Sequence, residues 1–479
     1  MFATGLNQLG FAASMLSGRR FRIKDVYALV HETRATIEEF GEPGEAATDM
    51  LNEQDPELQR DLTERRLRRT VRAAARETPY YRRWFETNRV DLDTLTPETL
   101  RAIAPTPKEA LRAAPTAFVA DNAQPAMAMH TTGTTGVPTQ VWFSHYELEL
   151  LSGIGALALM LRDRVRSNHV IANCVTSRSL APYLQARSVP LTGAAYLPMG
   201  IIEPAISLDR LAAPVHLPGK EPRITHLTTP PSFLAALLQE AERGGWKATD
   251  FGLRQILCGG EILTEALRQR AEEVFGAPVA DGYAMTETVP VMGSVCGHRH
   301  LHIPHDQGVV EILDPDTYEP ALPGSVGVLT VTPFSLFRDT TLLLRYVTGD
   351  LVRVLPAEEK LECEMAGVPA MSQILGRMAG PALATRDVLE LLQAERALPL
   401  PTRYALEETP AGPRLHVLAD RISRPLLARL EERAADLELP IAGIVLVDDP
   451  ADLPAPCLVR ADLREHSFER VASPAVGVS

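Results

Sequence analysis

His130-Thr131-Thr132-Gly133-Thr134-Thr135-Gly136-Val137-Pro138-Thr139 decides how the rest of this chain is read. Glycine adopts dihedrals closed to other residues, so successive backbone N–H groups can converge on one anion. Four threonines between His130 and Gly136 add hydroxyl donors. Val141 and Phe143, two apart, point to a strand just beyond the run. The stretch reads as a loop built to hold phosphates, against the ordinary alternative of a Gly/Thr hairpin turn. It is not a Walker loop, because no Gly-Lys-Ser/Thr follows the second glycine. It is not the dinucleotide fingerprint either, because the glycine spacing differs and no helix pattern opens on it.

Outward from this loop, length and composition set the frame. A chain of 479 residues has room for two or three domains, and its 45% hydrophobic and 23% charged content is that of a globular protein. No apolar run reaches the roughly 18 residues of a membrane span. The basic cluster Arg19, Arg20, Arg22 and Lys24 follows the mildly apolar start, the reverse of a secretory signal. Five scattered cysteines suit a reducing cytoplasm rather than a disulfide framework. A net charge of −13 argues against a nucleic-acid partner. Only five lysines occur (Lys24, Lys108, Lys220, Lys247, Lys360), and none follows position 360.

Periodicity predicts a helix over 58–90 with a break at Pro79-Tyr80-Tyr81, and short helices interrupted by prolines over 95–112. Strands are expected at Val170–Val175 and Gln255–Cys258, and helices at Ser232–Arg243 and Thr264–Phe275, with Thr264 as N-cap. This alternation argues for an α/β fold. Val309–Leu313, Val326–Thr332 and Leu351–Leu355 read as strands of a β-rich lobe, and a domain boundary is expected near Arg377.

Three later motifs supply what a nucleotide needs beyond its phosphates. In Asp281-Gly282-Tyr283-Ala284-Met285-Thr286-Glu287-Thr288, the tyrosine offers a flat face, the threonine a hydroxyl and the glutamate an oxygen ligand for Mg²⁺. Thr348-Gly349-Asp350 places a carboxylate past a glycine turn, where it can accept from ribose hydroxyls. Gly376-Arg377 puts an arginine at the expected domain border. The ordinary alternatives are a solvated loop carboxylate, a turn cap and a linker charge.

With these four motifs in order, the chain resembles the adenylate-forming superfamily, and most nearly its phenylacetate–CoA ligase branch. Pro79-Tyr80-Tyr81-Arg82 through Pro107-Lys108-Glu109-Ala110-Leu111, Leu301-His302-Ile303 and Val310-Glu311-Ile312-Leu313-Asp314-Pro315 add to the likeness, which covers about 75–380. It implies an α/β fold with a large multi-sheet N-terminal domain (1–376) that binds ATP and an acid. A small, mobile, divergent α+β domain (377–479) would follow. By the same likeness, Thr131, Thr132, Gly133, Thr134, Thr135 and Gly136 cradle phosphates, and Gly260 and Glu261 also line the nucleotide site. Tyr283 stacks on adenine, Thr286 meets the α-phosphate, Glu287 holds Mg²⁺, Asp350 takes the ribose, and Arg377 reaches ribose or phosphate.

Several positions depart from the pattern. Thr139 stands where many relatives carry a lysine, as it does in the phenylacetate branch. Met378-Ala379-Gly380 replaces the usual hinge acid or lysine, and the catalytic lysine that relatives place near the C-terminus has no counterpart. Arg460, Arg464 or Arg470 are candidate substitutes, although arginine presents a planar fork rather than a point charge. The acid pocket is expected along 173–186 and before Tyr283. There the branch's glycine/aromatic-rich segment is missing, and Arg178, Tyr183 and Gly282 are the candidate lining residues, with Arg178 and Arg187 open to an extra anion.

Cys296, His302 and Cys363, with His298 and His300 nearby, form a candidate zinc cluster that resembles one in the branch but lacks its second late cysteine. Glu362 or Glu364 would be the fourth ligand, since structural zinc takes four closed ligands. Surface histidines and isolated thiols are the alternative. The implied function is an ATP-dependent, AMP-forming ligase that activates a small aromatic acid and passes it to CoA or an amine. A diazotase-type enzyme activating nitrite for an aryl amine, and a weakened nucleotide-binding relative, are the rivals. ATP, Mg²⁺, Zn²⁺ and CoA are the expected cofactors. A cytoplasmic protein is expected, with a small-molecule substrate, no nucleic-acid or membrane partner and a homodimeric assembly.

Overall fold

The computed structural model describes residues 2–41, 55–131, 138–176, 179–378 and 383–454, with side chains from residue 10 onward. Its centre is an eight-stranded sheet in the order Ala370–Ser372, His300–His302, Gly293–Val295, Val279–Tyr283, Gln255–Gly259, His226–Thr229, Val170–Asn173, Ala195–Pro198. The last five are parallel. The inner strands Val170–Asn173 and His226–Thr229 are short and largely buried, as parallel strands covered on both faces must be, while Ala195–Pro198 at the edge is half-exposed. Helices connect them, and local chemistry sets the helix ends. Pro231 opens the helix Pro231–Gly244, and Gly245 ends it in the left-handed region at φ 69°. Thr264 caps Glu265–Phe275 by accepting from the Leu267 amide.

A four-stranded sheet packs beside this one in the order Gly308–Leu313, Val326–Pro333, Tyr346–Arg353, Gly376–Arg377. Thr348-Gly349-Asp350 therefore lies inside a strand, not after a turn. The pairing jumps from Val328–Leu351 to Thr330–Val347, and Gly349 takes φ +80°. This bulge bends the strand and re-aims Asp350. Asp350 also pairs with Arg377 across the ladder, so the arginine is held to this sheet.

The helix expected over 58–90 is two helices, Pro56–Glu77 and Pro79–Thr87, broken where Pro79 lacks an N–H. Two further helices, Phe2–Ser17 and Ile23–Phe40, precede them. Residues 383–446 carry their own buried cluster, including Val388, Leu392, Tyr404 and Leu430, under the three-stranded sheet Tyr404–Thr409, Gly412–Leu418, Gly443–Val447. That unit docks through buried polar contacts. Thr264 Oγ1 donates to Gln393 Oε1 at 2.5 Å, and Arg386 donates to the Ile374 and Leu263 carbonyls at 2.7 and 3.0 Å. Among the described residues, no helix is long and apolar enough to cross a membrane.

Candidate active site

The carboxyl ends of the parallel strands open on a cleft of about 3170 Å³. Such ends are where open α/β sheets bind ligands, and the volume exceeds the roughly 300–1,000 Å³ of a single-ligand pocket. Thr131 lines the cleft, and so do Gly260, Glu261, Gly282, Tyr283, Thr286, Glu287, Thr348, Gly349 and Arg377.

The ends of the phosphate-loop run are pinned together. The Thr131 amide donates to the Thr139 carbonyl at 3.0 Å, and the Thr139 amide donates to Thr131 Oγ1 at 3.1 Å. The strands Pro125–His130 and Gln140–Ser144 pair antiparallel beneath. Thr132, Gly133, Thr134, Thr135 and Gly136 lie outside the described residues, as does Arg178. So do Arg460, Arg464 and Arg470.

Tyr283 Oη donates to Asp350 Oδ2 at 2.8 Å, and Arg377 Nε lies 2.9 Å from Asp350 Oδ1. Burial pushes the Asp350 carboxyl above its ordinary value, and the Arg377 charge opposes that rise. Burial, with the Asp350 charge adding to it, holds the Tyr283 hydroxyl protonated well above the usual phenol range. Tyr283 and the half-exposed Arg377 line the cleft here, and the Asp350 carboxylate lies buried between the phenol and the guanidinium.

Glu287 forms the other corner. Its Oε1 accepts from Tyr346 Oη at 3.2 Å and faces Lys108 Nζ at 3.1 Å, while Oε2 is buried and has no hydrogen-bond partner among the described residues. An orphaned buried carboxylate oxygen calls for a cation or a donor, so the residues fit an oxygen-loving divalent ion. Arg338, 1% exposed, holds the loop behind it by donating to the Glu287 and Val289 carbonyls at 3.3 and 2.8 Å. Its own charge rests on Glu147 at 3.2 Å, and Glu147 closes the capping box of the helix His145–Leu161. Lys108 escaped the sequence reading of the site. The segment before it is strapped to the Tyr346–Arg353 strand by a Thr106–Tyr346 bridge, and the helix Lys108–Ala113 starts there. Its scarcity as one of five lysines was the available signal.

Other expected residues sit differently. Glu261, though in the lining, is committed to the Ser232 amide at 2.9 Å, at the start of the helix Pro231–Gly244. Tyr183 is not among the cleft-lining residues. It packs against the helical core, with the Arg187 guanidinium 5.9 Å from its ring, while Leu180, Leu184 and Gln185 of the same helix face the cleft. Arg187 is ion-paired with Glu149 and bonded to Ser152, so it is not a free anion site.

Cys296 Sγ, a His302 ring nitrogen and Cys363 Sγ lie within 4.8 Å of one another. His302 Nδ1 faces the Val368 carbonyl at 2.9 Å, leaving Nε2 toward Cys363 Sγ at 3.4 Å, the orientation a metal-ligating histidine needs. The chain supplies two thiols and one imidazole to this fit. Glu364 stands beside them but accepts from the Gly297 amide at 3.0 Å, and His300 turns away to Glu359 at 2.8 Å.

Residues 49–338 match the family described as AMP-binding enzyme, and the chain belongs to that family of adenylate-forming, AMP-forming ligases. Its relatives include the phenylacetate–coenzyme A ligase of Thermus thermophilus, 29% identical over 332 residues (66% of this chain, 70% of the relative). That of Aromatoleum evansii is 27% identical over 352 residues (70% and 75%). The chain thus falls in the phenylacetate–CoA ligase branch. A solved 2-hydroxyisobutyryl-CoA ligase in its postadenylation state shares the fold with a TM-score of 0.67 at 18% identity, covering 82% of this chain and 87% of the other.

Proposed function

We propose that this enzyme activates a small aromatic carboxylic acid as its adenylate and passes the acyl group to the CoA thiol. The observation that carries the reading is the pairing of two corners in one cleft. Tyr283, Asp350 and Arg377 suit a nucleoside, and Glu287 with Lys108 suits a metal-bound phosphate. In the first step a carboxylate oxygen attacks the α-phosphorus of ATP and pyrophosphate leaves. In the second, the CoA sulfur attacks the acyl carbonyl, AMP leaves and the thiol proton is released.

The chain's own residues position and neutralise, which is what phosphoryl chemistry chiefly needs. Tyr283 stacks on the adenine, Asp350 accepts from the ribose hydroxyls, and Arg377 reaches across to the ribose or phosphate. Thr286 donates to the α-phosphate, while residues 131–136 and the Gly260–Glu261 turn bracket the triphosphate. Glu287, whose buried Oε2 is unpartnered among the described residues, would hold Mg²⁺, and the ion when bound would neutralise charge on the phosphates. Lys108, in the cleft and 3.1 Å from Glu287 Oε1, supplies a point charge at the phosphates of the kind that relatives place near the C-terminus. Gly282 lies at the wall shared with the acid. The residues beyond Arg377 act as the small mobile domain between the two steps, and Cys296, His302 and Cys363 would hold a structural zinc. The free thiols and the use of ATP suit the cytoplasm.

The test is ATP-dependent pyrophosphate release across a panel of aryl acids, with CoA, amines or nitrite plus aryl amine as the second reactants. Release with an aryl acid and thioester formation with CoA support the reading. Release only with nitrite and an aryl amine would replace it with diazotase chemistry, and none with any substrate would leave a nucleotide-binding relative.

A further inference from the structure

The wall of the cleft formed by the ends of the strands Val170–Asn173 and His226–Thr229 is not a plain apolar pocket. Asn173, 1% exposed, ends the strand Val170–Asn173, and Thr228 stands beside it in the strand His226–Thr229. Gln185, on the helix Leu180–Leu191, reaches both, and all three line the cleft. The direction of their hydrogen bonds is fixed from one end. The Val175 amide can only donate, and it donates to Asn173 Oδ1 at 3.0 Å. Asn173 Nδ2 must then donate to Gln185 Oε1, and Gln185 Nε2 to Thr228 Oγ1 at 3.0 Å. The relay ends on the Thr228 hydroxyl proton, which has no acceptor among the described residues. Gln185 keeps a second N–H beside it.

Resting on the adenylation reading above, we propose that this relay is a subsite for a hydrogen-bond acceptor on the acid, remote from its carboxylate. Two donors meet there, so the matching group is a ring hydroxyl or carbonyl oxygen, not an ammonium. Thr228 lies two strands from Val279–Tyr283, the strand that leads into Thr286 and Glu287. At about 4.8 Å per strand the two strands are about 10 Å apart, a span on the scale of one substituted aryl ring. Leu184, Met199 and Leu257 in the same lining supply apolar cover for the ring. The enzyme therefore selects hydroxy- or oxo-substituted aryl acids over their unsubstituted parents, because the half-buried donors, once a bound ring covers them, are left without an acceptor by the parent.

The experiment compares 4-hydroxyphenylacetate with phenylacetate in the full-length enzyme. Both Kd by calorimetry and kcat/KM for pyrophosphate release are measured, in the native protein and in Thr228→Val, Thr228→Ser and Gln185→Leu. The expected result is a preference of about tenfold or more for the hydroxylated acid. It should survive in Thr228→Ser and collapse toward unity in Thr228→Val and Gln185→Leu. No native preference, or an equal one in Thr228→Val, overturns the subsite while pyrophosphate release leaves the ligase reading standing. A Thr228-dependent Kd preference with no pyrophosphate release from either acid does the opposite.

Discussion

Lys108 Nζ lies 3.1 Å from Glu287 Oε1, joining the first residue of a short helix to the carboxylate that the Tyr283–Glu287 motif carries into the cleft. Residues 179 apart in sequence thus meet where the phosphates of ATP are proposed to lie. Lys108→Met should slow pyrophosphate release by two to three orders of magnitude, the cost of about 3–4 kcal/mol for one preorganised donor. CoA transfer from a supplied acyl adenylate should change far less. Equal loss in both half-reactions, or none in the first, would rule out the assigned role.

Asp350 governs a pH dependence. Its carboxyl is raised above the ordinary value by burial, with Arg377 opposing. Protonation removes an acceptor for ribose and breaks the pair with Arg377. Nucleotide affinity should therefore weaken as pH falls through a value above the usual ~3.9 of an aspartate. Asp350→Asn should bind weakly and lose this acid limb. A native Kd for AMP that stays constant down to about pH 4 would speak against it.

The thiol–imidazole cluster makes an elemental prediction. Purified enzyme should carry about one zinc per chain, and Cys296→Ser or Cys363→Ser should lose it along with thermal stability. Less than about 0.2 equivalents in the native protein would reduce the cluster to a packing contact.

Arg338 and Glu147 are 1% and 0% exposed and 3.2 Å apart. Arg338→Met strands a carboxylate in the interior, so urea unfolding should show a loss of about 3–5 kcal/mol. Adding Glu147→Gln should restore much of it. A single-variant loss below about 1 kcal/mol, the size of an exposed pair, would show that the site is wetter than described.

Features that arise from neighbouring residues were legible in the sequence. The Thr264 cap, the strand after the phosphate-loop run and the break at Pro79 follow from local propensity. The order of four motifs gave the family. Features made by distant residues were not legible. The Gly349 bulge needs the Val326–Pro333 strand to define its register. Tyr183 has the right composition for a pocket but sits on the helix face turned to the core. Lys108 carries no local mark of function, because its partner is contributed by another part of the fold. The helix Ile23–Phe40 also follows from local pattern, since Ile23, Val26, Val30 and Ile37 recur at helical spacing on one face.

The central claim is that one cleft holds the ribose at Asp350 and the metal-bound phosphates at Glu287. A crystal structure of the enzyme with Mg²⁺ and a non-hydrolysable ATP analogue tests it most directly. The account predicts a ribose hydroxyl within hydrogen-bond distance of Asp350, Mg²⁺ about 2.1 Å from a Glu287 oxygen, and residues 131–136 around the triphosphate. A nucleotide bound elsewhere, with Glu287 still paired only to Lys108 and Tyr346, would contradict it.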